Sequence, residues 1–302
     1  MKKTKKLFVI FSYISVVTMI FFFGCLLLLF PQQAACGVEK GINLCLYTLM
    51  PSMYPFMFLS SFVISSSVAD RIGSVFSLFT RKIFKLPGIC GVIIMLSMVG
   101  GLPVGAKAVE DAFSMGYISK TEGKRLLTFC INPGPAFVIT SVGFYFLGSK
   151  TAGIVIYASL VLSSLIIGFL TRFVFQECLN NVCSNATVKS DEQISFSASF
   201  VSSVNTAISS VINVSAWVIL FSCVSELITL LPVSERTALF ITGITEMTNG
   251  VRQASGKVPM PVIAGIIGFT GICGQMQIMP TVIKLKMKLK YLNQLAKKMD
   301  IL

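Results

Sequence analysis

The chain has 302 residues, 54% of them hydrophobic and only 12% charged, with a mean hydropathy of +0.83. An average globular chain carries about 25% charged residues, so this composition excludes a soluble protein of two ordinary domains and points to a polytopic membrane protein. Lys and Arg outnumber Asp and Glu by 25 to 12, but the basic residues stand beside apolar runs as membrane topology demands, which sets DNA and RNA binding aside.

Residues 7–30 are an uncharged apolar run behind Lys2, Lys3, Lys5 and Lys6. The run is longer than the about 20 residues a spanning helix needs and reads as a retained first span. Processing near Ala34 and Ala35 is the lesser alternative, because Gln32 and Gln33 flank that position poorly. The next apolar run, 41–69, carries Pro51 and Pro55 and predicts a span kinked near mid-depth. Arg71, Arg81, Lys82 and Lys85 mark a basic connector.

Residues 88–100 are apolar but too short to cross, and they end in Gly100-Gly101-Leu102-Pro103-Val104-Gly105. The following 106–118 hold Lys107, Glu110 and Asp111, so the chain is expected to turn back as a re-entrant hairpin, with Glu110 and Asp111 at the cytoplasmic surface. Asn132-Pro133-Gly134-Pro135 interrupts the run 126–147 and predicts a broken span. Residues 151–175 form a clean span, and 176–197 a polar loop.

A long apolar run, 200–231, is followed by a short one, 237–245, ending in Glu246-Met247-Thr248-Asn249-Gly250-Val251-Arg252. This reads as a second half-helix and turn. Residues 259–283 form a span interrupted at Thr270-Gly271-Ile272-Cys273-Gly274-Gln275, and a lysine-rich tail follows. The expectation is an all-α fold of about six spanning helices plus two re-entrant hairpins. With both termini cytoplasmic, 20 of the 25 Lys and Arg fall inside and only Lys40, Lys150, Arg236, Arg252 and Lys257 outside, a strong positive-inside asymmetry.

The halves repeat an order of parts: long span, short half-helix with a Gly-rich tip, broken span. A shift of 145 residues places Gly105 on Gly250, Lys107 on Arg252 and Pro103 on Thr248; a shift of 140 places Phe129 on Phe269 and Gly134 on Gly274. Run through the topology, the halves enter the membrane in opposite senses. An inverted repeat of this kind builds secondary transporters, whose substrate sites lie where discontinuous helices meet at mid-membrane.

The stretch GGLPVGAKAVEDAFSMGYISKTEGKRLLTFCINPGPAFVITSVGFYFLG, with EMTNGV and GFTGICGQMQ in the second half, resembles the nucleoside-recognition or gate domain family. Within it the chain is most similar to the sporulation integral membrane proteins of endospore-forming bacteria, over residues 41–283. The resemblance implies a bacterial membrane protein that moves a small solute and, for the sporulation branch, delivery of dipicolinate to the developing spore across the outer forespore membrane. It divides the chain into a first helix and external loop at 1–40, gate-like repeats at 41–175 and 199–283, a cytoplasmic polar loop at 176–198 and a basic cytoplasmic tail at 284–302.

The chain has no histidine, which removes the Ser-His-Asp triad, the Cys-His dyad and imidazole zinc sites. Nine cysteines sit mostly within apolar runs, and Cys178 and Cys183 lack CxxC spacing, so packing is the expected role. No enzyme activity, cofactor or metal is expected. The candidate substrate site comprises Gly101, Pro103, Gly105, Lys107, Asn132, Gly134, Thr248, Asn249, Gly250, Arg252, Gly274 and Gln275. The glycines would let backbone approach a solute, and the broken helices would expose amide donors to an anion. Close helix packing accounts for about half of such glycines equally well.

Lys107 and Arg252 would be matched cations clamping a carboxylate at each gate, or snorkelling residues that reach lipid phosphates. Glu246 is the candidate for a coupling proton or sodium ion, with an ion pair to Arg252 or solvent exposure as the alternatives. Besides the bilayer, the tail would bind anionic lipid. Homo-oligomerisation and sporulation partner proteins stay open. The function expected is a transporter or permease for a small polar or anionic solute; the alternative is a non-transporting scaffold needed for spore formation.

Overall fold

The computed structural model describes residues 2–66, 68–175, 196–230 and 232–285. The expected polar loop before Phe196, with Cys178 and Cys183, and the tail lysines from Lys286 onward lie outside the described residues. Among the described residues the fold is helical throughout, with no strand. Four helices are long and apolar enough to cross a membrane: Pro31–Ser65, Lys150–Val174, Phe196–Ile228 and Met260–Lys284. A fifth span arises if the pair Arg71–Phe84 and Gly88–Gly100, bent by 91°, is counted as one. These four match four of the six expected crossings; the other two are the first helix and the run broken at Asn132 to Pro135.

The first helix, α1 (Lys2–Leu29), ends two residues before Pro31, which opens α2 (Pro31–Leu44). Proline suits this first helical position because its missing N–H has no intrahelical acceptor there. A π-helical turn, Cys45–Leu49, joins α2 to α3 (Met50–Ser65). Where the sequence predicts an external loop before residue 41, the chain is therefore already helical. Its small residues explain the placement: a Cβ on Gly37 would lie 2.7 Å from Cys223 Cα, and one on Gly41 2.8 Å from Ile219 Cα. Both distances bring α2 against α10 (Phe196–Ile228) at near-backbone separation.

The basic connector is also helical, as α4 (Val68–Phe79) with a π-helical turn at Thr80–Phe84. Arg71, Arg81 and Lys82 occupy its exposed face, while Ile72 and Phe76 pack inward against α5 (Gly88–Gly100). The four charges hid this amphipathic period from the sequence reading. Next come α6 (Leu102–Ser114), α7 (Lys120–Leu126), a π-helical α8 (Ala136–Phe146) and α9 (Lys150–Val174). A capping box between Ser119 and Glu122 starts α7. After α10 follow α11 (Glu235–Thr245), α12 (Met247–Ala254), α13 (Met260–Phe269) and α14 (Gly271–Lys284).

Three of the four buried apolar clusters among the described residues organise the bundle, and the fourth seats the start of α2 on α10 through Ala34, Cys223 and Leu227. One joins α4 to α7 with the end of α14, a second joins the Pro31–Ser65 helix to α10, and a third joins α8, α9 and α11 to α13. Much of the exterior is apolar: Leu162, Ile166 and Phe173 of α9 are exposed, as are Ile208 and Ile212 of α10. A contiguous apolar exterior on long helices is the surface a bilayer solvates.

Candidate functional site

Two helical hairpins place the site. The first folds back at Gly101, whose φ of +90° and ψ of −174° suit only glycine, so that α6 returns along α5. A Cβ on Gly105 would stand 2.6 Å from that of Ser97 across this hairpin. The second hairpin turns at Glu246, and α12 returns along α11 so closely that a Cβ on Gly250 would lie 2.4 Å from Gly243 Cα. The Glu246 carboxylate caps α12, accepting from the Thr248 N–H at 2.8 Å and the Asn249 N–H at 2.6 Å, with only 4% of the residue exposed.

Each hairpin tip rests on a second helix break. At the first, a Cβ on Gly101 would lie 2.8 Å from the Gly134 nitrogen, at the break between α7 and α8. At the second, a Cβ on Gly271 would lie 3.1 Å from the Met247 nitrogen and 3.2 Å from the Thr245 carbonyl oxygen, at the break between α13 and α14. Both backbone interruptions thus meet other backbone. The breaks at Gly101, Gly134, Glu246 and Thr270 all border a single cavity of about 100 Å3.

Two larger clefts adjoin this cavity. One, of about 750 Å3, runs between α10, α6 and α14 and shares Pro103 and Gln277 with the centre. The other, of about 740 Å3, lies beside Tyr47, Thr140 and Arg252 and shares Ser52, Phe137 and Thr248 with the centre. Cleft, cavity and cleft therefore form a continuous line of lining residues past both hairpin tips.

Gly101, Pro103, Gly134, Thr248 and Gly274 line the central cavity together with Glu246. Asn249 and Arg252 line the cleft on the Thr248 side. The remaining candidates lie elsewhere. Gly105 and Gly250 are buried inside the hairpins as packing residues. The Asn132 amide donates to the Phe129 carbonyl at 3.0 Å and the Ser164 hydroxyl at 2.9 Å, so it fastens the segment between α7 and α8 to α9. Gln275 donates to the Phe269 carbonyl at 3.3 Å and closes the break it belongs to.

The expected symmetry of the two cations does not hold. Lys107 is held by Glu110 and Asp111, each at 3.1 Å, and Glu110 also accepts from Lys284 at 3.0 Å and Thr281 at 3.1 Å. Glu110 and Asp111 are largely covered, at 14% and 17% side-chain exposure, where surface positions were expected. A one-turn spacing of opposite charges on α6 explains the pairing. Arg252 is exposed in its cleft and, among the described residues, makes no ion pair. Nor does it salt-bridge Glu246, whose two oxygens are engaged by backbone.

Gln277, which with Gln275 offers neutral donors and acceptors at the last break, also lines the cavity; the candidate set omitted Thr270 and Cys273, which line it too, and a row of Ser and Asn on α10. Helical spacing was the signal for that row: Ser202, Asn205, Ser209 and Asn213 recur every three or four residues inside an apolar span.

Long apolar helices packed through small residues, with an apolar exterior, define a multi-pass integral membrane protein. The chain is similar to the sporulation integral membrane protein YlbJ of Bacillus subtilis (strain 168), at 22% identity over 255 residues. The alignment takes in 80% of this chain and 62% of that relative's length. This similarity supports the sporulation branch of the resemblance read from the motifs. No protein-family model matches, for the gate domain or any other family. No solved structure matches.

Proposed function

We propose that the chain is a transporter or permease for a small polar or anionic solute, which binds between the two hairpin tips. One observation carries the reading: four backbone interruptions border one cavity, and a large cleft adjoins that cavity on either side. Interrupted backbone is tolerated in a bilayer where it is covered by protein or lines an aqueous cavity, and discontinuous helices commonly form transporter sites. The equivalent placement of Gly101 on Gly134 and of Glu246 beside Gly271 supports an inverted repeat with re-entrant hairpins.

Arg252 favours an anion on the Thr248 side, while Lys107, neutralised by two carboxylates, gives the other side little net attraction. Similarity to a sporulation membrane protein makes dipicolinate the first solute to try, with the outer forespore membrane as the site of action and both termini cytoplasmic. Glu246 remains the candidate for proton or sodium coupling because it is the carboxylate at the cavity.

The test is uptake of labelled dipicolinate by reconstituted liposomes, with and without a proton or sodium gradient, against a nucleoside and a simple dicarboxylate as competitors. Saturable uptake that weakens in Arg252→Ala is the expected result. Folded, correctly oriented protein that moves none of these solutes would instead favour the scaffold reading.

A further inference from the structure

α10 is apolar enough to span a membrane, yet it carries Ser202, Asn205, Ser209 and Asn213 exposed along one face. The exposed arc continues to Ile208, about 60° round the helix from Asn205, and the opposite face buries Ser199, Ser203, Ala207 and Val211. The exposed arc therefore changes from polar to apolar round the helix. Ser209 satisfies itself by donating to the Asn205 carbonyl at 2.9 Å, whereas the Asn205 and Asn213 side chains bond to none of the described residues. A carboxamide with two donors and an acceptor is costly to leave in hydrocarbon, so these groups require a polar neighbour.

The cleft of about 750 Å3 lies over this face, and across it stand Lys107, Glu110, Gln277 and Thr281. Polar and charged groups on both walls suit water better than acyl chains. We propose that this face of α10 is the wall of a water-filled passage to the central cavity, and that Asn205 and Asn213 are hydrogen-bonding subsites for the solute's carbonyl, hydroxyl or carboxylate groups. The water-filled passage stands on geometry alone; its use by a solute rests on the transport reading.

Single cysteines at Ser202, Asn205, Ser209 and Asn213, and at Ile208 and, on α9, the exposed Leu162 as controls, are compared with the parent chain in proteoliposomes. A charged, membrane-impermeant thiosulfonate should label the polar row about tenfold faster than the two controls, because a charged reagent enters water and not hydrocarbon. Equal labelling of the row and the controls, slow or fast, would overturn the passage. Asn205→Leu and Asn213→Leu should each raise the KM for dipicolinate about fivefold, the worth of one lost neutral hydrogen bond. Unchanged KM in folded protein would remove the subsites. A folded parent chain that moves none of dipicolinate, a nucleoside and a simple dicarboxylate would sink the transport reading and the subsites, while the labelling pattern would still decide the passage.

Discussion

Gly101 and Gly134 touch backbone to backbone: a Cβ added to Gly101 would lie 2.8 Å from the Gly134 nitrogen. The first hairpin tip is thereby locked onto the break between α7 and α8. Gly101→Ala adds this clash to a φ of +90°, where an L side chain costs about 1–3 kcal/mol. We expect a lower thermal midpoint in detergent and loss of uptake. Gly265→Ala is the control, since a Cβ there meets nothing within 4 Å.

Gly105 and Gly250 make a different prediction, because they pack within the hairpins and do not line the cavity. A Cβ at Gly105 would lie 2.3 Å from the Cys130 carbonyl oxygen, and one at Gly250 2.4 Å from Gly243 Cα. Overpacking of this kind costs about 1–3 kcal/mol. Alanine at either position should reduce folded yield while leaving the KM of the surviving protein unchanged; a raised KM with normal stability would return these glycines to the binding site.

Glu246 caps α12 with both carboxylate oxygens. Glu246→Ala removes both acceptors and should destabilise by about 1–2 kcal/mol, read as a lower midpoint. Glu246→Gln keeps one acceptor and should fall between parent and alanine. If the Gln variant folds yet its uptake no longer responds to a proton or sodium gradient, the cap is also the coupling group; an intact response would assign coupling elsewhere.

Arg125 is fully buried, donating from Nε to Thr171 at 3.0 Å and from a terminal nitrogen to the Gly168 carbonyl at 3.3 Å. It thereby joins α7 to α9 beside the break between α7 and α8. Each hydrogen bond from a charged donor contributes about 1.5–3 kcal/mol. Arg125→Ala should abolish folded protein, and Arg125→Lys should rescue poorly because an ammonium cannot reproduce the planar fork. Normal yield of the Lys variant would refute the geometric requirement.

The Glu110 cluster grades two further variants. Lys284 is 49% exposed, so Lys284→Ala should cost at most about 1 kcal/mol. Glu110→Gln weakens contacts to Lys107, Lys284 and Thr281 together and should lower the midpoint further. Added salt should narrow the gap only slightly, because the Lys107 pairing is mostly covered.

Sequence periodicity located the half-helices ending at Gly100 and Thr245, the breaks at Asn132 to Pro135 and at Thr270 to Gly274, and the clean span of α9. Those features are local: Gly, Pro and uninterrupted apolar runs act on their own stretch of chain. α4 was missed because four basic residues disguised an amphipathic period, and the start of α2 because Gln32, Gln33, Glu39 and Lys40 read as loop. In both cases the partner helix, α5 or α10, supplies the packing that offsets the polar residues.

The chain's composition determined by itself that this is a helical, multi-pass membrane protein, because so many apolar residues can be solvated only by a bilayer and one another. Its Gly and Pro residues marked the breaks at Gly101, Gly134 and Gly271, while the remaining turn falls at Glu246. Tertiary structure decided which breaks meet, that Lys107 is neutralised while Arg252 faces a cleft, and that Asn132 fastens α9 and does not line the cavity. Those outcomes depend on distances between residues far apart in the chain, which no local pattern encodes.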